Sequence, residues 1–114
     1  MNNLLEETKR ILQKTGHTLS DIVWVGCEDY RIEIDQFIKL ANVVYDDGYG
    51  GAEVAIDLLV VGIDWWLERH EYDGSEWWEY KTLPQRPQEV KGVKRVVTNR
   101  CSELSLTEMN EEDE

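Results

Sequence analysis

Asp73-Gly74 lies between two runs crowded with aromatic residues, Asp64-Trp65-Trp66-Leu67-Glu68-Arg69-His70-Glu71-Tyr72 and Ser75-Glu76-Trp77-Trp78-Glu79-Tyr80-Lys81-Thr82, and no other stretch constrains the fold as tightly. A two-residue hairpin loop of type I′ needs positive φ at both central positions, which Asp tolerates and Gly adopts freely. That turn sets a register. Tyr72 falls opposite Ser75, His70 opposite Trp77, Glu68 opposite Glu79 and Trp66 opposite Lys81. Because side chains alternate with period two along a strand, each Trp-Trp pair is split between the faces.

One face receives Trp65, Leu67, Arg69, Glu71, Glu76, Trp78, Tyr80 and Thr82, and its apolar members assign it to the core, with Arg69 and the Glu71/Glu76 pair near the open end. The other receives Trp66, Glu68, His70, Tyr72, Trp77, Glu79 and Lys81. Large aromatics on an acid-rich face have two explanations. Either a helix or the C-terminal segment covers them, or they anchor a partner, as Trp and Tyr do at protein interfaces.

The rest of the chain supplies elements to pack behind the hairpin. Asn3 is placed to cap a helix over residues 4–15, with Glu6 at the capping-box position and Gly16 as the stop. Leu4, Leu5, Thr8, Ile11 and Leu12 line one side of it, and Glu7, Lys9, Arg10 and Lys14 the other. Residues 22–26 read as a short buried strand, residues 31–34 as a second, and Asp35 as the cap of an amphipathic helix carrying Phe37, Ile38, Leu40, Ala41 and Val44. His17 follows the first helix in a loop and suggests no chemistry. The glycine-rich stretch 45–51 breaks the pattern, and Asp46, Asp47 and Tyr49 in it are candidate loop contacts. It is not a phosphate-binding loop, since no Gly-Lys-Ser/Thr follows. Residues 54–61 predict the first strand of a three-strand meander completed by 65–72 and 75–82. Asp57 in that strand belongs at an exposed end or in an ion pair with Arg69 or Lys81. Pro84 and Pro87 end the sheet, residues 90–97 offer an edge strand, and from Asn99 onward a mobile acidic tail is expected.

The predicted class is α+β: two helices on an antiparallel sheet with a C-terminal three-strand meander, forming one domain over residues 1–84, followed by an extension over 85–114 with a basic hinge and an acidic tail. The 114 residues suffice for one core without staples. Cys27 and Cys101 make no disulfide framework, and with only His17 and His70 beside them no zinc spacing exists, so neither metal nor cofactor is expected. The longest apolar run, residues 58–63, cannot cross a bilayer, and no leader is recognisable, so a cytoplasmic protein without membrane contact is expected.

The net charge of −12 is uneven. Residues 21–82 hold fifteen acids against four bases, residues 86–100 five bases against one acid, and residues 103–114 six acids and no base. Such a body repels phosphates and is drawn to basic surfaces, so direct nucleic-acid binding is disfavoured.

The hairpin 64–80, preceded by Tyr49-Gly50-Gly51-Ala52-Glu53-Val54-Ala55, resembles a group of short open reading frames in phages and prophages of Gram-positive bacteria, over about residues 20–84. The resemblance transfers no catalytic residue. It implies a mobile-element protein of the bacterial cytoplasm, a class that includes anti-CRISPR and anti-restriction inhibitors. The expected function is inhibition of a host nucleic-acid-processing enzyme such as a CRISPR effector nuclease, by occupying its basic nucleic-acid site. Trp66, Tyr72 and Trp77 would anchor the contact, with Glu68, His70, Glu71, Asp73, Glu76 and Glu79 around them. A homodimer formed through the aromatic face is the second expectation. A small ribonuclease using Glu68, His70 and Glu79 is the third, opposed by the acidic surface.

Overall fold

Asn3 starts the first helix as expected: its side chain accepts the Glu6 N–H at 3.0 Å, satisfying one of the donors a helix N-terminus leaves free. In this computed structural model, which describes residues 1–46, 50–98 and 103–111, the chain divides into two compact units, Met1–Pro84 and Gln85–Glu114. The first unit opens with β1 (Asn2–Asn3) and α1 (Leu4–Lys14), which Gly16 terminates at φ +87°. There follow a 3₁₀ turn (Leu19–Asp21), β2 (Trp24–Gly26), β3 (Arg31–Ile32), α2 (Ile34–Ala41), β4 (Val44–Tyr45), β5 (Leu59–Val61), β6 (Trp65–Tyr72) and β7 (Ser75–Thr82). β1 pairs with β4, and the other strands form one antiparallel sheet in the order β3-β2-β5-β6-β7. The fold is α+β, with both helices on one face of that sheet and a meander at its C-terminal end.

The hairpin register is the one dictated by the turn, from Tyr72↔Ser75 through His70↔Trp77 and Glu68↔Glu79 to Trp66↔Lys81. Asp73 and Gly74 sit at φ +53° and +88°, the pair of positive angles a type I′ loop demands. Cross-strand pairs carry the face assignment over the whole sheet. Val25, Val60 and Leu67 lie in one row, fully buried, and meet Leu4, Leu5 and Leu12 of α1, Phe37 and Ala41 of α2, and Trp65 and Trp78 in a single core.

Several expectations are corrected. Residues 54–58 are not strand: Leu58 N–H closes a turn on the Ala55 carbonyl, and Asp57 stands exposed in it, so β5 keeps only three residues. α2 begins at Ile34, with Glu33 at the cap, which places Asp35 inside the first turn, where its charge still favours the helix N-terminus. Leu40 and Val44 are exposed rather than packed, and Val44 belongs to β4. His17 is structural: its ring stacks on Trp65 at 4.3 Å between centroids and its Nε2 meets the Tyr80 hydroxyl at 2.9 Å.

In the second unit, residues 90–97 form no strand, and the acidic segment carries a helix, α3 (Leu106–Glu111). A reciprocal capping box starts it, with the Glu108 N–H on Ser105 Oγ at 3.1 Å and the Ser105 N–H on Glu108 Oε1 at 2.9 Å. Asn110 then ties α3 to the basic segment, accepting the Lys94 N–H at 2.7 Å and donating to the Arg95 carbonyl at 3.1 Å.

Candidate interaction face

The sheet face that turns away from both helices of Met1–Pro84 is built from cross-strand rows. Trp24, Val61, Trp66 and Lys81 make one row, Leu59, Glu68 and Glu79 the next, and His70 and Trp77 the third. All of these side chains are half-buried, and Tyr72, beside the turn at the hairpin tip, is 76 % exposed. Three of the chain's five tryptophans therefore share one accessible face.

Glu68 and Glu79 are direct cross-strand partners, an arrangement that costs stability when both are charged. Donors on the same face offset that cost. Trp66 Nε1 donates to Glu68 Oε1 at 2.8 Å, His70 Nε2 lies 2.7 Å from Glu68 Oε2, and Trp77 Nε1 donates to Glu79 Oε2 at 2.8 Å. In each case the partners are two residues apart on one strand, the spacing that brings side chains to the same face. The His70 contact, then the Trp66 N–H, hold the Glu68 carboxyl below the usual carboxylate range. These bonds also fix the rings, so the face presents oriented indoles beside carboxylates held in place. An electron-rich ring next to a carboxylate suits a guanidinium or ammonium group.

The same geometry bears on proton transfer. Glu68 and His70 are in contact, as a general acid–base couple would be, but Glu68 is a weakened base with both oxygens occupied, and the adjoining cation on the face is Lys81.

The remaining expected contact residues divide. Glu71 and Asp73 are exposed at the hairpin tip. Glu76 lies on the core face where the register placed it, but as a contact residue it is corrected: with 3 % of its side chain exposed it is closed to a partner and bonds Arg69 Nη2 at 2.8 Å. Its carboxylate also accepts the N–H groups of Glu53 at 2.7 Å and Val54 at 3.3 Å, pinning the segment before β5. Asp46 is half-buried and donates its N–H to Glu53 Oε1 at 3.2 Å, while Asp47 and Tyr49 lie outside the described residues.

Sequence reasoning missed the cluster that props the hairpin from behind. Arg69 bonds Glu76, Glu7 Oε2 at 3.2 Å and the Tyr45 hydroxyl at 3.2 Å, with its guanidinium 4.8 Å from the Trp78 ring centroid and 5.7 Å from that of Tyr45. Tyr45 also donates to Glu7, so Glu7, assigned to the outer side of α1, faces inward instead. Burial, then the Glu7 bond, pushes the Tyr45 hydroxyl up to about 12. Burial opposes the Arg69 charge, yet the bonds to Glu76 and Tyr45 outweigh it and the pKa stays raised. Trp78 Nε1 donates to Thr8 Oγ1 at 2.9 Å, so the inward indole of the second Trp pair is satisfied as well. Trp24, read from sequence as part of a buried strand, is the missed member of the outer face.

Comparison with protein-family models, with curated proteins and with solved structures finds no match to this chain. Among the described residues, no group of three or more His, Cys, Asp or Glu is placed to hold a metal ion, and no helix is long and apolar enough to cross a membrane.

Proposed function

We propose that this chain is an acidic interaction protein of a bacterial mobile element. It acts in the host cytoplasm by docking the outer face of its sheet into the basic groove of a nucleic-acid-processing defence enzyme, such as a CRISPR effector nuclease. The observation that carries the reading is the pair of half-buried indoles on the outer face whose N–H groups hold Glu68 and Glu79 in place. Trp66, Trp77 and Trp24 supply rigid anchors of low entropy cost, and the fixed carboxylates take the place of phosphates against Lys and Arg. The net charge of −12 steers the encounter and disfavours direct nucleic-acid binding. Tyr72, Asp73 and Glu71 at the hairpin tip extend the contact.

Two measurements test this. Co-expression with a panel of defence nucleases, scored by survival of a targeted plasmid, identifies the target. With that target purified, the complex weakens as salt rises, because exposed charges farther apart than a Debye length are screened. Failure to protect against any member of the panel, or salt-independent binding to the member it does protect against, contradicts the proposal. The Trp24-Val61-Trp66 row, which carries no charge until Lys81, favours a second reading in which the same face joins two copies. Light scattering that shows a monomer at high concentration removes that reading.

A further inference from the structure

β7 is the last strand of the sheet, and nothing pairs with its far side among the described residues. In a two-residue hairpin the residues flanking the turn exchange both hydrogen bonds, and bonded and non-bonded pairs then alternate. Ser75, Trp77, Glu79 and Lys81 therefore aim their N–H and C=O groups at β6. Consistently, the Leu83 N–H continues the inward series, bonding the Asp64 carbonyl at 3.1 Å. Glu76, Trp78, Tyr80 and Thr82 aim theirs outward. Proteins blunt such an edge with proline, a bulge, a short strand or charged side chains, inward-pointing ones included. β7 has none of the first three: its eight residues pair one-to-one with β6, positive φ is confined to the turn, and the next proline is Pro84. Of its charges, the inward Glu76 is already paired with Arg69, while Glu79 and Lys81 stand on the outer face, where they select a charged partner strand rather than exclude one.

We infer that β7 is a strand-addition edge, and that its occupant is an extended segment of the partner carrying Lys or Arg at alternate positions. The inference rests on the docking reading above and adds how the partner's backbone is held. A strand laid along β7 turns every second side chain onto the outer face, beside Trp77 and Glu79. Cationic residues there meet a carboxylate and an indole together. A second copy of this chain is the weaker occupant, because pairing β7 with itself brings two bodies of net charge −12 side by side.

Amide hydrogen exchange on the full-length protein tests the edge directly. The probes are a peptide alternating Lys and Val and its backbone-N-methylated counterpart. In the free protein the amides of Trp77, Glu79 and Lys81 exchange slowly and those of Glu76, Trp78, Tyr80 and Thr82 fast. The unmodified peptide slows the second set by about tenfold or more, and the N-methylated one binds about tenfold more weakly, the loss expected from one or two backbone bonds. Thr82→Pro, which removes an outward N–H the fold does not use, weakens the unmodified peptide several-fold without lowering Tm. Equal binding of both peptides without slowed exchange overturns the edge pairing and leaves the docking face standing, whereas binding of neither overturns both. Slow exchange of the outward set in dilute free protein shows the edge already covered and overturns the inference. Slowing that grows with protein concentration in the absence of peptide overturns it in favour of a second copy.

Discussion

Replacing Arg69 with Met removes the cation that two buried carboxylates share while keeping most of the side-chain volume. Arg69 and Glu76 each have 3 % of their side chain exposed and Glu7 12 %, so screening by solvent is slight and the penalty of an unpaired buried charge applies nearly in full. Breaking a buried ion pair by removing one partner costs about 3–5 kcal/mol. Two features place Arg69→Met in the lower half of that range. Glu76 keeps the Glu53 and Val54 N–H donors, and the change removes Arg69 Nε, a buried donor with no partner among the described residues. About 3 kcal/mol is therefore expected, which at roughly 5 °C per kcal/mol for a domain of this size lowers Tm by roughly 15 °C. Differential scanning calorimetry and urea unfolding of Arg69→Met, and of Arg69→Met combined with Glu7→Gln and Glu76→Gln, read the effect. The combined variant recovers part of the loss, since its buried side chains are neutral. A Tm within a few degrees of wild type for Arg69→Met, or no recovery in the combined variant, refutes the view that this ion cluster holds the hairpin against the helices.

Four further outcomes follow from the same geometry. Trp66→Phe removes an N–H from Glu68 and lets its carboxyl rise toward the ordinary carboxylate range, read by following the Glu68 side-chain carbon by NMR against pH; an unmoved midpoint contradicts the bond. Tyr45 has its hydroxyl raised to about 12, so its contribution to stability is complete below about pH 10 and is lost as pH climbs through 12; ultraviolet titration of wild type against Tyr45→Phe isolates it, and a midpoint near 10 refutes the burial argument. In Gly62→Ala the new Cβ would lie 2.1 Å from Cε2 of the buried Trp65 ring, and overpacking there costs about 1–3 kcal/mol in urea unfolding, whereas an unchanged midpoint would mean the indole moves aside freely. Ser105→Ala deletes the α3 cap at a cost of about 1 kcal/mol and speeds amide exchange over Leu106–Glu111; unchanged exchange would show the box is idle.

What the sequence disclosed was local. Asp73-Gly74 fixed the register of sixteen strand residues because turn chemistry leaves one loop geometry, and the register alone sorted the tandem tryptophans. Asn3 was legible as a cap for the same reason, and Ser105-x-x-Glu108 carried an equally local signal that the acidity of its surroundings obscured. The misjudged parts depend on distant partners. Val54 follows a hydrophobic pattern that suits a strand, but its N–H is taken by Glu76, 22 positions away, and the ladder begins only at Leu59. Glu7 looks solvent-facing on a helical wheel until Arg69, 62 positions on, is brought against it. Trp24 joins the outer face only through β5, whose Val61 it pairs with and which carries the same row to Trp66. Periodicity within one element cannot supply a cross-strand register of that kind.

The outer face stands or falls on what happens when its anchors are shortened and its core is left alone. In cells carrying a defence nuclease that the wild-type chain blocks, the surviving fraction of a targeted plasmid is compared between wild type and Trp66→Ser/Trp77→Ser, with thermal unfolding to show the variant folded. The account predicts survival falling to the level of cells without the protein while the variant stays folded at the assay temperature, its Tm lowered only by the lost bonds to Glu68 and Glu79, and plasmid protection by the folded double variant equal to that of wild type would contradict it.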